Sequence, residues 1–445
     1  MSAAAAPTGS VTALLGRADR MLDRVLGPTG RQGVWAVGDR LIVAGTNFLT
    51  LVIVGRAAGV EALGVFALAW TVLLTANALG ESFVTSPFTV FANRPRAALG
   101  RARYAGTALL LHLALAGLAT ALCCAVALVL TAREAPALMR DAAWCLAVAL
   151  PASALREFAR RFLFARFAAW RALVLDAAAA LLQLAAILAL WAGAALTPAT
   201  ALLAIALGTG LPALAWLVAA RRAFRPPLAG GVRREARRHL VFARWLAGAQ
   251  LSDLAVTHGV AWWVAAFAGT AATGLFSAAN SLVLVINPLM LGVGSVLLPR
   301  TALAQHRQGP HEVARIVWKV TLWLAGAAGL VCLLVALLGG WLIEMLYGIE
   351  ATVTVAATVA LLALAGFAGA TAFAVDNGLM VVGRQDANFV ASLVGLVVTF
   401  AGAAVLLPPL GLVGAALAVA LGTGVNALWQ IVVFARFTRA PGAGT

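Results

Sequence analysis

The stretch Ala206-Leu-Gly-Thr-Gly210 recurs unchanged as Ala420-Leu-Gly-Thr-Gly424, 214 positions later in a chain of 445 residues. The match continues at lower identity beyond both copies and ends at Arg222 in the first and at Arg436 in the second. Each copy lies in a long apolar stretch. A repeat at nearly half the chain length predicts that one helical unit was built twice.

The composition places that unit in a membrane. Hydrophobic residues make up 63% of the chain, charged residues 11%, and the mean hydropathy is +0.98, which excludes a soluble domain of this length. The net charge of +16 does not indicate nucleic-acid binding, because the arginines are distributed between the apolar runs and do not form one patch. Parallel repeats of membrane helices are typical of secondary transporters, so the repeat favours transport.

The sequence indicates no cofactor and no nucleotide hydrolysis. Four cysteines lie in apolar segments without a CxxC or Cys/His cluster, and we predict them to be core residues: Cys123, Cys124, Cys145 and Cys332. A Walker A loop needs a glycine before its lysine, whereas the single lysine, Lys319, follows a tryptophan. No predicted loop is long enough to hold a soluble catalytic domain.

Twelve apolar runs approach the length of about 20 residues that spans a bilayer. They begin near residues 34, 62, 104, 137, 172, 199, 245, 275, 318, 351, 387 and 411. When loops are assigned alternately to two sides, all 32 Lys and Arg residues except Arg56, Arg133 and Arg140 fall on the side of the termini. The positive-inside rule therefore predicts a multi-pass protein of the bacterial cytoplasmic membrane with both termini in the cytoplasm.

Two six-helix lobes are the simplest organisation of these segments. Residues 34–220 form the predicted N-terminal lobe and residues 245–437 the C-terminal lobe, while residues 438–445 are a cytoplasmic tail. Residues 1–33 precede the lobes as a cytoplasmic segment, either an amphipathic surface helix or a frayed tail. The arginine-rich loop 221–244 joins the lobes, and it either fixes the topology as a solvated loop or contacts anionic lipid.

The beginnings of the two lobes are duplicated as well. At an offset of 210, Gly59 aligns with Gly269 and Gly64 with Gly274, which predicts the same outer turn in each lobe. Both copies of the pentapeptide lie in the last helix of a lobe and run inward. The duplication is therefore predicted to be parallel, and the pentapeptide is predicted to pack helices through its small residues.

The first hairpin resembles that of the polysaccharide exporters, the lipid-linked oligosaccharide flippases of the multidrug/oligosaccharidyl-lipid/polysaccharide (MOP) superfamily. It consists of Leu49-Thr-Leu-Val-Ile-Val-Gly-Arg-Ala-Ala-Gly59 and Glu61-Ala-Leu-Gly-Val-Phe-Ala-Leu-Ala69. Gly274-Leu-Phe-Ser-Ala-Ala-Asn280 followed by Leu297-Leu-Pro299, and the stretch from Arg160 to Asp176, are similar to that family too. The resemblance spans about residues 34–437 and rests on the order of loose motifs along the chain.

The resemblance implies an all-α fold of about 12 transmembrane helices, arranged as two lobes in a V around a central cavity. Segments one, two, seven and eight line the cavity in that family, and the cavity opens alternately inward and outward. The implied substrate is an undecaprenyl-diphosphate-linked glycan, with its headgroup in the cavity and its tail in the bilayer. The implied partners are that substrate, membrane lipids and the polymerase and assembly proteins of a polysaccharide pathway.

Polar side chains recur at helical spacing in those four segments. An unpaired polar group in lipid costs roughly 2–7 kcal/mol, so these side chains must face protein or water. We predict that the following residues face the substrate cavity: Arg40, Asn47, Asn77, Glu81, Gln250, Thr257, Asn280 and Asn287. Amides and hydroxyls suit the hydroxyl groups of a sugar, and an arginine suits a diphosphate.

Each of these assignments has a structural alternative. The asparagines could join helices within the bundle, and Arg40 could extend its guanidinium to the cytoplasmic interface. Our hypothesis for energy coupling is that Glu81, with Asp253 and His258, binds a proton or another ion. Structural pairing of Glu81 is an equal alternative.

Three functions follow from the sequence. The leading one is a flippase that moves a lipid-linked oligosaccharide across the membrane for surface-polysaccharide assembly. The second is a cation-coupled multidrug or metabolite antiporter of the same superfamily. A pocket for a drug cation would favour aromatic rings and carboxylates, which Trp70, Trp262, Trp263 and Glu81 could supply. The third is a polytopic glycosyltransferase or polymerase, which the short outer loops disfavour.

Overall fold

The computed structural model describes residues 11–92, 98–226 and 231–439. Eleven α-helices account for most of them: α1 (Val11–Gly80), α2 (Ser86–Ala92), α3 (Ala98–Ala132), α4 (Ala137–Ala165), α5 (Ala169–Ala192), α6 (Pro198–Ala220), α7 (Gly231–Val283), α8 (Asn287–Gln308), α9 (Pro310–Tyr347), α10 (Val353–Val381) and α11 (Gln385–Arg439). A π-helical turn, Glu81–Thr85, joins α1 to α2, and a 3-10 turn, Leu284–Ile286, joins α7 to α8.

Within these described ranges, nine helical stretches are long and apolar enough to cross a membrane. Three of them reverse direction at a glycine with a positive φ angle: Gly59 (84°), Gly269 (85°) and Gly411 (56°). Divided at these glycines, the nine stretches become twelve segments, six in each half of the chain. The chain is therefore a multi-pass membrane protein with the predicted number of segments.

The duplicated turn predicted from Gly59 and Gly269 is confirmed. The two φ angles differ by a single degree, and both lie in the region that side chains with a Cβ atom avoid. Glycine therefore allows each lobe to pass directly from its first segment to its second. Gly411, with its positive φ angle, allows the same direct connection between the last two segments described.

The pentapeptide repeat packs helices, as predicted. A Cβ atom added at Gly208 would lie 2.6 Å from Cβ of Gln183 on α5, and one added at Gly422 would lie 1.8 Å from the Thr399 hydroxyl on α11. The equivalent glycines of the two lobes thus let their last segments approach the preceding segment closely. Such close packing stabilises the helix pairs, because hydrophobic association between helices is weak in lipid.

The two lobes share an apolar core at one end of the bundle. We call this end, which carries the turns at Gly59, Gly269 and Gly348, the arginine-poor end, and the opposite end the arginine-rich end. Buried residues of both lobes share one apolar cluster: Val52, Leu63, Val260, Val264, Phe276, Leu282, Ile343, Tyr347, Val355 and Val359 are among its members. The lobes are therefore sealed together there by ordinary core packing.

Several helices continue beyond the apolar runs that predicted them. Helix α4 extends to Ala165, so residues 156–165 are helical although a loop was predicted near 156–171. Helix α7 begins at Gly231, inside the predicted loop 221–244, and α1 is helical from Val11 onward. Hydropathy marks the membrane-embedded part of a helix, and a helix does not have to end where the hydrocarbon ends.

Candidate functional site

A cavity of about 520 Å³ lies between the lobes. The first two segments of each lobe supply its walls, namely both halves of α1 and the region from His258 on α7 to Pro288 on α8. These are the four segments that the resemblance implied. The cavity adjoins the apolar cluster that joins the lobes, since Phe276 belongs to both.

Uncharged polar groups and aromatic rings line the cavity. The polar side chains on its walls are Asn47, Thr50, Thr71, His258, Ser277, Ser281, Asn280 and Asn287, and the rings are Phe48, Phe66, Trp70 and Phe276. Among the lining residues that the structure describes, no side chain is a carboxylate, an ammonium or a guanidinium group. The walls can therefore donate and accept hydrogen bonds and offer flat apolar faces without a fixed charge.

Gly64 and Gly274 close the cavity at the arginine-poor end. A Cβ atom added at Gly64 would lie 1.9 Å from the carbonyl oxygen of Thr270, and one added at Gly274 would lie 2.0 Å from that of Val60. The second segments of the two lobes thus touch backbone to backbone, each glycine against the turn of the other lobe. A side chain at either position would force the lobes apart.

A hydrogen bond reinforces this closure. The indole nitrogen of Trp262 on α7 donates to the hydroxyl of Thr71 on α1 at 2.9 Å. Nearer the end of the bundle, the Arg56 guanidinium donates to the carbonyl oxygen of Met345 on α9. Both bonds cross from one lobe to the other, so the closure is polar as well as apolar.

The structure brings four of the predicted cavity and coupling residues together on the cavity wall. Asn47 on α1, His258 and Asn280 on α7, and Asn287 at the start of α8 all lie on this wall. Asn287 follows the 3-10 turn Leu284–Ile286 and comes directly before Pro288. Its side chain is exposed.

Arg40 lies on the same face of α1 but closer to the arginine-rich end. Positions 40, 44, 47 and 51 fall on one side of an α-helix, and the last three of these line the cavity. The Arg40 side chain is exposed and forms no ion pair with any residue that the structure describes. Arg40 lies one helical turn before Ala44 and is not itself among the described residues of the cavity wall.

Asn77 lies elsewhere. Its amide nitrogen donates to the hydroxyl of Ser153 on α4 at 2.8 Å, inside the N-terminal lobe. A small separate pocket beside Gly80 and His112 adjoins it. Asn77 therefore joins two helices of one lobe, whereas its repeat partner Asn287 lines the cavity.

The remaining predicted positions lie toward the arginine-rich half of α7. Gln250 is partly buried and is not among the described residues on the cavity wall. The side chains of Asp253 and Thr257 lie outside the described part of the structure. Their assignments to the cavity and to coupling stay predictions.

Glu81 belongs to a cluster of charges inside the N-terminal lobe, which we call the ion network. It comprises Asp39, Glu81, Arg156, Glu157, Arg160, Arg161 and Asp176. The carboxylate of Glu81 pairs with Arg161, whose Nε atom also lies 3.0 Å from Glu157. The structural alternative for Glu81, pairing with an arginine, is thus realised in this conformation.

Arg160 is the centre of the ion network. Its guanidinium lies 2.8 Å from Glu157, 3.3 Å from Asp39 and 3.8 Å from Asp176, and it is 5% exposed. The network joins α1, α4, α5 and the π-helical turn. A buried charge costs several kcal/mol unless it is paired, so these contacts hold the four elements in one arrangement.

Sequence reasoning missed two groups of side chains at these sites. Thr71, Ser277 and Ser281 line the cavity, but threonine and serine are so common in membrane helices that their presence alone indicated nothing. The arginines at 156, 160 and 161 were assigned to a loop, although Arg160 and Arg161 follow Glu157 by three and four residues, which is the spacing of paired charges on a helix. That spacing was the available signal.

Comparisons with known proteins identify the fold. No family model matches the chain, and no curated protein matches it. Among solved structures, an inward-facing multidrug resistance MATE family transporter of the MOP superfamily superposes with a TM-score of 0.73 at 17% identity, covering 89% of this chain and 96% of that one. The lipid II flippase MurJ in an inward closed conformation gives 0.68 at 11% identity, with coverages of 91% and 90%.

An outward-facing MATE family transporter gives a TM-score of 0.65 at 15% identity, with coverages of 93% and 97%. Nearly the whole chain is thus superposable on transporters of one superfamily in different conformations. The chain has the two-lobed all-helical fold of MOP superfamily transporters, with its cavity at the lobe interface. The sequence resemblance had predicted that fold.

Proposed function

We propose that this protein is a transporter that moves a polyprenyl-diphosphate-linked oligosaccharide across the bacterial cytoplasmic membrane by alternating access. The observation that carries the proposal is the chemistry of the cavity wall. Amides, hydroxyls and aromatic faces without a fixed charge suit an uncharged glycan, whose hydroxyl groups both donate and accept hydrogen bonds. The fold shared with the lipid II flippase MurJ supports the same assignment.

Arg40 is the proposed contact for the diphosphate. A guanidinium binds phosphate oxygens through paired N–H groups, and Arg40 lies one helical turn from Ala44 of the cavity wall and forms no ion pair with a described residue. The glycan would then lie deeper in the cavity, along Asn47, Asn280 and Asn287. This arrangement leaves the polyprenyl tail outside the cavity, in the bilayer.

The closed arginine-poor end supports an orientation for this conformation. The positive-inside rule assigns the arginine-rich end to the cytoplasm, which is where such lipid-linked precursors carry their newly made glycans. Gly64 packs against Thr270 and Gly274 packs against Val60, so the arginine-poor end is closed. We therefore propose that this conformation receives substrate from the arginine-rich end.

A cation-coupled antiporter is the second candidate, because MATE transporters share the fold equally well. An organic cation would be expected to meet a carboxylate in its pocket. Glu81 is paired with Arg161, and none of the described wall residues is acidic. This charge pattern is why we favour the glycan over the cation.

We retain Glu81, Asp253 and His258 as the residues proposed for energy coupling, and we rank His258 first. Its imidazole is the titratable side chain among the described residues of the cavity wall. A proton that binds there would change the charge of the cavity itself. Catalysis as a glycosyltransferase or polymerase has no comparable support, since the structures that share the fold are transporters and a flippase.

The decisive experiment uses purified protein reconstituted in vesicles. A fluorescent polyprenyl-diphosphate oligosaccharide is placed in one leaflet, and its arrival in the other is measured by quenching. We expect protein-dependent translocation that falls at least tenfold in an Asn280→Ala, Asn287→Ala double variant. The matched control is Asn388→Ala, since the Asn388 amide donates to the Asp376 carbonyl oxygen and is not among the described residues of the cavity wall.

Three outcomes are informative. Translocation that depends on the two cavity asparagines supports the flippase. Uptake of an organic cation by the same vesicles, without movement of the glycolipid, replaces it with the antiporter. Formation of a glycosidic bond from the donor lipid would establish an enzyme instead.

A further inference from the structure

A second cleft opens at the arginine-rich end of the N-terminal lobe, away from the central cavity. It lies between the turn that joins α4 to α5 and the last turns of α6, and it has a volume of about 560 Å³. Its walls carry three guanidinium groups and four aromatic rings: Arg166, Arg171, Arg222, Phe162, Phe167, Trp170 and Trp216. None of these seven residues belongs to the cavity wall described above.

The charge of this cleft is not neutralised within the described part of the chain. Arg166, Arg171 and Arg222 form no ion pair there, and no described lining residue is a carboxylate. The nearby arginines of the ion network are all paired, by contrast. Partial burial and then repulsion from Arg101 lower the pKa of the Arg166 guanidinium, as expected where positive charge lacks a counter-charge.

Aromatic rings hold two of the guanidinium groups in place. Arg166 lies over the ring of Phe162, 4.3 Å from its centroid, and Arg171 lies over the ring of Trp170 at 5.2 Å. Stacking occupies the faces of a guanidinium and leaves its N–H edges free to donate. The cleft therefore presents oriented donors that suit the oxygens of a phosphate group.

The backbone of the cleft is fixed in an unusual conformation. Phe167 has a φ angle of 57°, which costs about 1–3 kcal/mol for a residue with a Cβ atom. Gln32 of α1 stabilises this turn at two points, donating to the Phe167 carbonyl oxygen at 2.6 Å and accepting from the Ala169 amide at 3.2 Å. The turn keeps the Phe167 ring 69% exposed at the rim.

The cleft lies at the boundary between hydrocarbon and water. On α6, Leu211, Leu214 and Val218 are exposed on the same side as Arg222, and on α5 Leu181 is 73% exposed. These apolar stripes face lipid and lead up to the arginines. Tryptophan beside arginine at such a boundary is typical of contact with the headgroup region.

We propose that this cleft is a binding site for the phosphate headgroup of an anionic phospholipid, whose acyl chains extend along the exposed faces of α5 and α6. The lipid would anchor the N-terminal lobe at the arginine-rich face of the membrane. The site is separate from the transport cavity and does not depend on which substrate that cavity carries.

The test is lipid binding by the purified full-length protein in a neutral detergent. Phosphatidylglycerol, phosphatidylcholine and inorganic phosphate are titrated separately, and binding is followed by native mass spectrometry. We expect saturable binding of phosphatidylglycerol that weakens about 100-fold in an Arg166→Gln, Arg171→Gln, Arg222→Gln variant, since each arginine near an anionic lipid contributes about fivefold.

The control variant removes three exposed arginines from the same end of the protein, outside the cleft: Arg221→Gln, Arg225→Gln and Arg300→Gln. Binding that survives in this control but not in the cleft variant, with equal melting temperatures, supports the proposal. Equal losses in both variants would reduce the effect to general surface charge and overturn it. Equal affinity for phosphatidylcholine, or for inorganic phosphate alone, would also overturn the assignment to an anionic lipid.

Discussion

Trp262 of the C-terminal lobe donates its indole N–H to the hydroxyl of Thr71 in the N-terminal lobe, with 2.9 Å between the two atoms. This bond lies beside the cavity, on the boundary that must open if access alternates. Under the proposed alternating access, the bond would be made in the closed conformation and broken in the open one. A bond of this kind sets part of the free-energy difference between the two states.

Trp262→Phe should favour opening of the arginine-poor end. The substitution keeps the ring and removes the donor, which costs the closed state about 1 kcal/mol and raises the open population about fivefold. The measurement is thiol labelling of Asn280→Cys, in a background without the four native cysteines, by a membrane-impermeant reagent applied from that end. Trp341→Phe, at a 59% exposed position, is the control and should leave the labelling rate unchanged.

Gly274→Ala should impair closure and transport together. The added methyl group would overlap the Val60 carbonyl oxygen, so the lobes must separate or the helices must shift. We expect at least tenfold slower translocation in vesicles. Gly326→Ala is the matched control, because nothing lies within 4 Å of its added Cβ atom, and normal transport by Gly274→Ala would contradict the closure.

Arg40→Gln should weaken binding of the lipid-linked substrate by at least tenfold and leave a diphosphate-free glycolipid unaffected. A guanidinium bound to diphosphate contributes a charge-assisted pair of hydrogen bonds. Initial translocation rates against substrate concentration give the measurement, and Arg40→Lys should restore only part of the loss. If both lipids respond alike, Arg40 serves the membrane interface and not the substrate.

Arg160→Gln should destabilise the N-terminal lobe by about 3–5 kcal/mol, because it leaves buried carboxylates without their partner. Thermal unfolding in detergent measures the effect. Arg315→Gln removes an arginine whose side chain is 81% exposed in its pair with Glu312, and such pairs contribute about 0–1 kcal/mol. Similar melting temperatures for the two variants would show that the ion network does not stabilise the lobe.

His258→Gln should uncouple transport from a proton gradient if the cavity histidine carries the coupling proton. Glutamine keeps hydrogen-bonding capacity but does not titrate. The expected result is that an imposed pH gradient no longer accelerates translocation, while downhill exchange continues. If His258→Gln keeps the response to the gradient and Asp253→Asn loses that response, the coupling role belongs to Asp253 instead.

The repeat made much of the fold predictable from the sequence. Gly59 and Gly269 share a positive φ angle because both lobes have the same short connection. That conformation favours glycine, so the same residue occurs at both positions. The twelve segments and the four that form the cavity followed from hydropathy and from the resemblance. These features depend on local sequence and on order along the chain.

The rotation of each segment within its lobe was not predictable in the same way. Asn77 and Asn287 occupy equivalent positions, yet one contacts Ser153 and the other lines the cavity. Helical spacing defines a face but not the neighbour of that face. The contact between Arg160 and Asp39 joins residues 121 positions apart, which no local pattern reports.

The reciprocal contact of the two closing glycines has the symmetry of a homodimer interface. Gly64 packs on Thr270 and Gly274 packs on Val60, so each lobe touches the same part of the other. That reciprocity defines an isologous interface, the geometry of a two-fold homodimer. The two lobes of one polypeptide therefore pack here as the subunits of a homodimer would, with a local two-fold axis between these two positions.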